Sequence, residues 1–240
     1  MATQYYRRET WLMTRVSVIC EGQTEEAFIK DTLKISLAYQ AVYLEPRLIS
    51  TSSNAKGGAL NYNRVKPYII NSLKQDKSSL VTTFFDLYAL DKRFPGIEES
   101  QKINDIYQKA QFLETALKKD ICSVYNEASQ RFFPHVQPYE FEGLLFSDIS
   151  ELTALNSEWS MVLEKLQSIR NQFASPEHIN DSYETRPSKR ITDTLSKTGL
   201  SYRKTTHGPL SIKKIGLDKL CSECKHFAGW YQQLANLGTN

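Results

Sequence analysis

The sequence predicts an α/β fold with a mainly parallel sheet flanked by helices, followed by a helical C-terminal extension. Three observations carry this. Short apolar, β-branched runs (Val16–Cys20, Ala41–Ser50, Leu80–Phe85) alternate with segments of helical periodicity. Each run is followed by a polar turn rather than by a two-residue hairpin. The last third of the 240-residue chain carries helical patterns and no apolar strand run. The order reads as an N-terminal arm over residues 1–15, an α/β core over 16–150 and a helical region over 151–240 that packs on the core.

The first strand, Val16-Ser-Val-Ile-Cys20, reads as buried. Glu21-Gly22-Gln23-Thr24 reads as a turn, and Glu25 and Glu26 fall in the first turn of a helix, where negative charge suits the helix dipole. Ile29, Leu33 and Leu37 give that helix its apolar face, with Phe28 and Ile35 beside them. Ala41–Ser50 reads as a second strand and 52–58 as a polar loop. A helix near Arg64–Lys74 has a start blurred by Pro67. Leu80–Phe85 is the clearest strand. A loop ending in Phe94-Pro-Gly96 follows, then a long helix through Ile103, Ile106, Ala110, Leu113 and Leu117. Arg131–Gln137 reads as a strand bent at Pro134. Glu140–Phe146 reads as a helix start, and helices near 157–173, 187–197 and 217–234 complete the reading.

Composition narrows the function classes. Forty per cent hydrophobic and 24% charged residues are values of a soluble globular chain. No apolar run reaches the roughly 18–20 residues that span a bilayer. The expected address is the cytoplasm. Four cysteines are too few for a disulfide scaffold. Cys221, Cys224 and His226 lie close in sequence, so they form either an incomplete zinc set or ordinary helix residues. Net charge is only +3, but it is unevenly spread. Residues 132–164 hold six acids and no Lys or Arg, whereas 186–219 hold nine Lys or Arg against two Asp. The two stretches form either a joint metal-and-phosphate site or two separate solvated faces.

Two acids stand directly after strands: Glu21 and Asp86. In a parallel sheet, strand C-termini share one edge, and ligands bind there. Carboxylates brought together repel unless a cation or proton offsets them, and such oxygens suit Mg²⁺ or Mn²⁺. Gly22 is read as leaving room for a phosphate. Glu140 and Glu142, two apart, cannot face one point from a helix, so one of them at most is a further ligand, and Asp91 is a weaker candidate. His135 is read as structural rather than catalytic. Lys189 and Arg190, with Lys204 as a further candidate, are read either as phosphate contacts or as a solvated helix face.

These residues also carry a family resemblance. Glu21-Gly-Gln-Thr-Glu25, Asp86-Leu-Tyr88, Phe94-Pro-Gly96, the run His135-Val-Gln137 to Glu140-Phe-Glu142-Gly-Leu-Leu-Phe146, Pro187-Ser-Lys189-Arg190 and His207-Gly208 occur in this order. The series resembles that of a bacterial Toprim-like family, similar to the nuclease part of overcoming-lysogenization-defect proteins. The resemblance implies a Toprim-like fold, Mg²⁺ or Mn²⁺ as cofactor, and phosphodiester hydrolysis of DNA or RNA. It implies Glu21, Asp86, Glu142 and Lys189 as catalytic residues, and Glu21, Asp86, Glu140 and Glu142 as the metal-ligand candidates. It implies Gly22, Lys189, Arg190 and Lys204 at phosphate. It also implies an ABC- or AAA-type ATPase partner in an antiviral defence system, with homo-oligomerisation open. One departure matters: Tyr88 stands where Toprim domains carry the second Asp of Asp-x-Asp. The alternative it raises is a catalytically inactive regulatory or binding subunit of an ATPase complex.

Overall fold

The structure is a computed structural model that describes residues 13–49, 60–180 and 182–238. Five strands form the sheet: β1 (Thr14–Cys20), β2 (Val42–Leu48), β3 (Leu80–Asp86), β4 (Phe132–Phe133) and β5 (Val136–Gln137). Their order is β2-β1-β3-β4, with β5 also on β3, and every pairing is parallel. The helices are α1 (Gln23–Phe28), α2 (Lys34–Ala38), α3 (Tyr62–Gln75), α4 (Ile97–Ser100), α5 (Ile106–Val124), α6 (Ile149–Thr153), α7 (Leu163–Arg170), α8 (Pro187–Ser196), α9 (Lys204–Ile215), α10 (Leu217–Glu223) and α11 (Lys225–Ala235). A π-helical stretch, Ile29–Leu33, joins α1 to α2. The expected α/β class, parallel sheet and helical C-terminal region are all present.

Alternation along the central strand assigns its neighbours. Val16, Val18 and Cys20 face a core built with α1, α2 and the C-terminal helices. Ile19 faces the opposite core, made with α3 and α5. The C-terminal region is therefore half of the main core, and Trp230 of α11 donates to the Thr82 hydroxyl of β3 at 3.0 Å. Among the described residues, no helix is long and apolar enough to cross a membrane.

Several expectations need correction. Residues 1–12 of the expected arm and the 52–58 loop lie outside the described residues, while Thr14 and Arg15 belong to β1. Ile35 is 55% exposed rather than on the apolar face. The 217–234 helix breaks at Cys224, and Glu140–Phe146 becomes a 3-10 turn over Phe141–Ser147. The 157–173 helix opens as a 3-10 turn before α7. Helix α9 went unread because Gly208-Pro209 lies inside it. Pro67 is likewise interior to α3, which starts at Tyr62 under an Asn61 side-chain cap.

The 131–137 strand is split at Pro134-His135, as the proline suggests, yet β4 and β5 keep one register on β3. The Thr83 hydroxyl bridges the gap. It donates to the His135 carbonyl at 2.8 Å and accepts from the His135 N–H at 2.9 Å. Thr83→Val leaves the buried His135 N–H without its acceptor and the His135 carbonyl with only the Phe85 N–H, at 3.4 Å. A loss of about 2 kcal/mol is expected, read by thermal denaturation as a Tm fall of about 4–8 °C. An unchanged Tm contradicts this account of the bridge.

Candidate metal centre

The register of the sheet builds the site. Cys20 of β1 lies beside Phe84 of β3, so Glu21 and Asp86 leave their strands at the same edge. Beyond Glu21 the chain enters α1, and Glu25, one helical turn further, folds back over it. Carboxylate oxygens of Glu21, Glu25 and Asp86 lie within 4.8 Å of one another.

A fourth acid arrives from the next strand. After β5, Tyr139 adopts φ +55°, a left-handed conformation that is costly for a residue with a side chain. It turns the backbone so that the Phe141 N–H donates to Asp86 Oδ1 at 2.8 Å. The 3-10 turn that follows carries Glu142 inward. Glu25, Asp86 and Glu142 are 1%, 3% and 0% exposed, while Glu21 is half-buried.

Lys204, at the start of α9, enters the middle of this group. Its Nζ lies 3.2 Å from Glu142, 3.6 Å from Asp86 and 3.8 Å from Glu25. The sequence placed Lys204 at a phosphate; the structure places it among the acids. Two features seat it there. The Arg203 N–H donates to His207 Nδ1 at 2.9 Å, closing the first turn of α9. Gly208 lets the helix approach: a Cβ there meets Tyr202, Phe141 and Thr24 at 3.1–3.3 Å. The His207-Gly208 motif thus positions a lysine.

Gly22 serves differently from its expected role. Its φ of −143° is open to any residue. A Cβ at Gly22 comes within 2.8 Å of Glu25 Oε2, so the space it leaves is taken by a carboxylate rather than a phosphate.

Other expected residues lie apart. Glu140 pairs with Arg186 at 3.1 Å and accepts the Ser188 N–H at 3.0 Å, holding the start of α8. It is thus tied to that helix, while its charge still acts on Glu21 and Glu142. Lys189 pairs with Asp193 at 2.7 Å, one turn along α8. Arg190 lies over the Phe173 ring and donates to the Thr185 carbonyl. Both cations of the Pro187–Arg190 motif thus have partners on or beside α8. Asp91 accepts from the Tyr62 and Arg93 N–H groups. Tyr88 packs against Tyr139 and Tyr183. Cys224 pairs with Ser147 while the His226 ring turns to Glu114, so the zinc alternative for Cys221, Cys224 and His226 is not assembled.

Among the described residues, one lysine against four carboxylates leaves excess negative charge. Burial, reinforced by Glu25, pushes the Glu21 carboxyl up to about 8. Burial also pushes Glu142 up to about 7, with Glu140 and Glu25 adding to the rise. Asp86 lies well above the usual carboxylate range, chiefly through burial. Burial alone would lower Lys204, but Glu142, Asp86, Glu25 and Glu21 together outweigh it and keep the ammonium charged. Both oxygens of Glu142 and Oε1 of Glu25 are buried without an aligned hydrogen-bond donor among the described residues. Buried anionic oxygens lacking donors are costly, and a hard divalent cation is the ligand that suits such an all-oxygen set. The residues present therefore fit Mg²⁺ or Mn²⁺. Glu25, read from sequence as a helix-dipole charge, was the missed member; its signal is the four-residue spacing from Glu21.

A family model described as a domain of unknown function (DUF4276) matches residues 20–235. The chain belongs to this family. No curated protein and no solved structure matches it. The matched span contains all four acids and Lys204.

The raised carboxyls set a pH dependence. Free carboxyls titrate near 4, so folding takes up protons between about pH 4.5 and 8, and stability falls as pH rises through that window. In metal-free protein, Tm is expected to fall from pH 5.5 to 8.5, and Glu142→Gln is expected to flatten the slope. Added Mg²⁺ is expected to raise Tm more at pH 8.5 than at 5.5, since it competes with protons. Equal slopes in the two proteins contradict the account.

Proposed function

We propose that this chain is a Mg²⁺-dependent nuclease that hydrolyses phosphodiesters of DNA or RNA. The observation that carries the reading is the convergence of Glu21, Glu25 and Asp86, joined by Glu142 through Lys204, at the C-terminal edge of a parallel sheet. These four residues would hold the ion. Bound there, the ion supplies charge stabilisation at phosphate and lowers the pKa of a water. The resemblance to Toprim-like nucleases supports the same chemistry, with Glu25 in place of the missing second Asp.

The remaining roles belong to the chain itself. Glu21 is the one half-buried acid of the four, so it faces the side open to solvent and accepts a proton from the attacking water. One P–O bond forms to that water and one breaks to the leaving sugar oxygen, which solvent protonates. Lys204, with 41% of its side chain exposed on a flexible stem, neutralises the acids in the resting chain and turns its ammonium to a phosphate oxygen when substrate enters. Lys189, on a partly exposed pair with Asp193, and Arg190 stay candidates for contacts to neighbouring phosphates. An ATPase partner and an antiviral setting rest on the resemblance alone, and they place the nuclease as the effector of a two-component system.

A second reading is a catalytically inactive subunit of an ATPase complex. Lys204 favours it, since an ammonium already occupies the centre of the acids. Tyr88 favours it too, since no carboxylate stands at that position.

Purified chain is incubated with Mg²⁺ or Mn²⁺ and with DNA or RNA, alone and with the product of the neighbouring gene. Cleavage is expected to need the ion and to drop about 100-fold or more in Glu21→Gln. Lys204→Ala is expected to bind Mn²⁺ more tightly yet cleave roughly 10–100-fold more slowly. Undiminished cleavage by Glu21→Gln overturns the proposal. Absence of cleavage in every setting favours the inactive subunit.

A further inference from the structure

At the β4–β5 edge of the sheet, three ligating side chains converge from three distant segments. Glu114 comes from α5, His135 from the break between β4 and β5, and His226 from the first turn of α11. Glu114 Oε1 lies 2.8 Å from His226 Nε2 and 3.5 Å from His135 Nδ1. The same oxygen accepts the Val136 N–H at 2.8 Å, which fixes the carboxylate in place. The group lines an open cavity of about 340 Å³ beside Tyr107, Gln111 and Trp230.

The hydrogen-bond chain behind His135 decides its tautomer. Glu177 accepts the backbone N–H groups of His226 and Phe227, one on each carboxylate oxygen, both at 2.9 Å. Gln137 must therefore turn its NH₂ toward Glu177, at 3.5 Å, and its amide oxygen toward His135 Nε2, at 3.3 Å. An amide oxygen only accepts, so His135 Nε2 carries the proton. The unprotonated His135 Nδ1 then lies 3.5 Å from a carboxylate oxygen, two acceptors side by side, in a residue that is 1% exposed. A cation between the two atoms resolves the conflict.

We propose that Glu114, His135 and His226 form a binding site for a divalent transition metal of the zinc class, separate from the four-acid centre. Two imidazoles and one carboxylate suit Zn²⁺ rather than Mg²⁺. Tetrahedral zinc with bonds of about 2.0–2.1 Å needs ligand atoms about 3.3–3.4 Å apart. The observed separations of 2.8 and 3.5 Å reach that with shifts of about half an ångström. The Gln137 oxygen holding the far nitrogen of His135 is the arrangement that orients metal-ligating histidines. Three protein ligands leave a fourth position open to the cavity. Because α5 and α11 lie on opposite faces of the sheet, the metal also clasps the two cores together at this edge.

The full chain, stripped with chelator, is titrated with Zn²⁺ and with Co²⁺ as its coloured substitute. One equivalent is expected to bind at micromolar metal in wild type and in Glu21→Gln, undisturbed by excess Mg²⁺. Glu114→Gln and His226→Gln, checked for folding by circular dichroism, are expected to bind about tenfold more weakly or worse. In wild-type protein, zinc is expected to shift the ring-nitrogen NMR signals of His135 and His226. The proposal is overturned by absence of binding in wild type, by retention of affinity in both ligand variants, by loss of the site in Glu21→Gln, or by unmoved histidine signals.

Discussion

Mutual repulsion among Glu21, Glu25, Asp86 and Glu142 is the constraint that orders the surroundings of the site. Four carboxylates at one edge of a sheet are tolerated only with compensation. The chain supplies part of it through Lys204, part through the Phe141 N–H on Asp86, and part by retaining protons near neutral pH. Lys204 reaches Glu142 and Glu25 as an ion pair, but no aligned hydrogen bond from a described residue completes their buried oxygens.

The fold exists around that edge in a concrete sense. Parallel pairing aligns the ends of β1 and β3, so two acids meet without any long connection reaching across the molecule. The broken β4–β5 strand, bridged by Thr83, keeps its register to the same edge and then turns at Tyr139 to deliver Glu142. Helix α9 seats against Phe141 and Thr24 through Gly208, which brings Lys204 to the acids that those segments carry. The C-terminal helices therefore do two jobs: they bury one face of the sheet and they provide the site's cation.

The sequence made legible what strand ends determine. Glu21 and Asp86 were readable because an acid directly after an apolar strand falls on the common edge of a parallel sheet. Geometry also limited Glu140 and Glu142 to one member, but only the turn at Tyr139 shows which, since Glu140 is drawn off by Arg186 and Ser188. Glu25 was hidden behind a reasonable local explanation, its place in a helix first turn. Lys204 was legible as a cation near charge but not as one among acids, because α9 itself was obscured by Gly208-Pro209. Lys189 looked functional from its neighbours in sequence, yet Asp193 one turn away takes it. His135 gave no sign of partners because Glu114 and His226 come from separate helices on either side of the sheet edge.

The most direct measurement is crystallographic: crystals soaked in millimolar Mn²⁺ at pH 8, with the ion located by its anomalous signal. The account predicts manganese between Glu21, Glu25, Asp86 and Glu142, with the Lys204 ammonium moved out of the group. Crystals that hold no manganese there, with Lys204 still seated on Glu142 and Asp86, would contradict it.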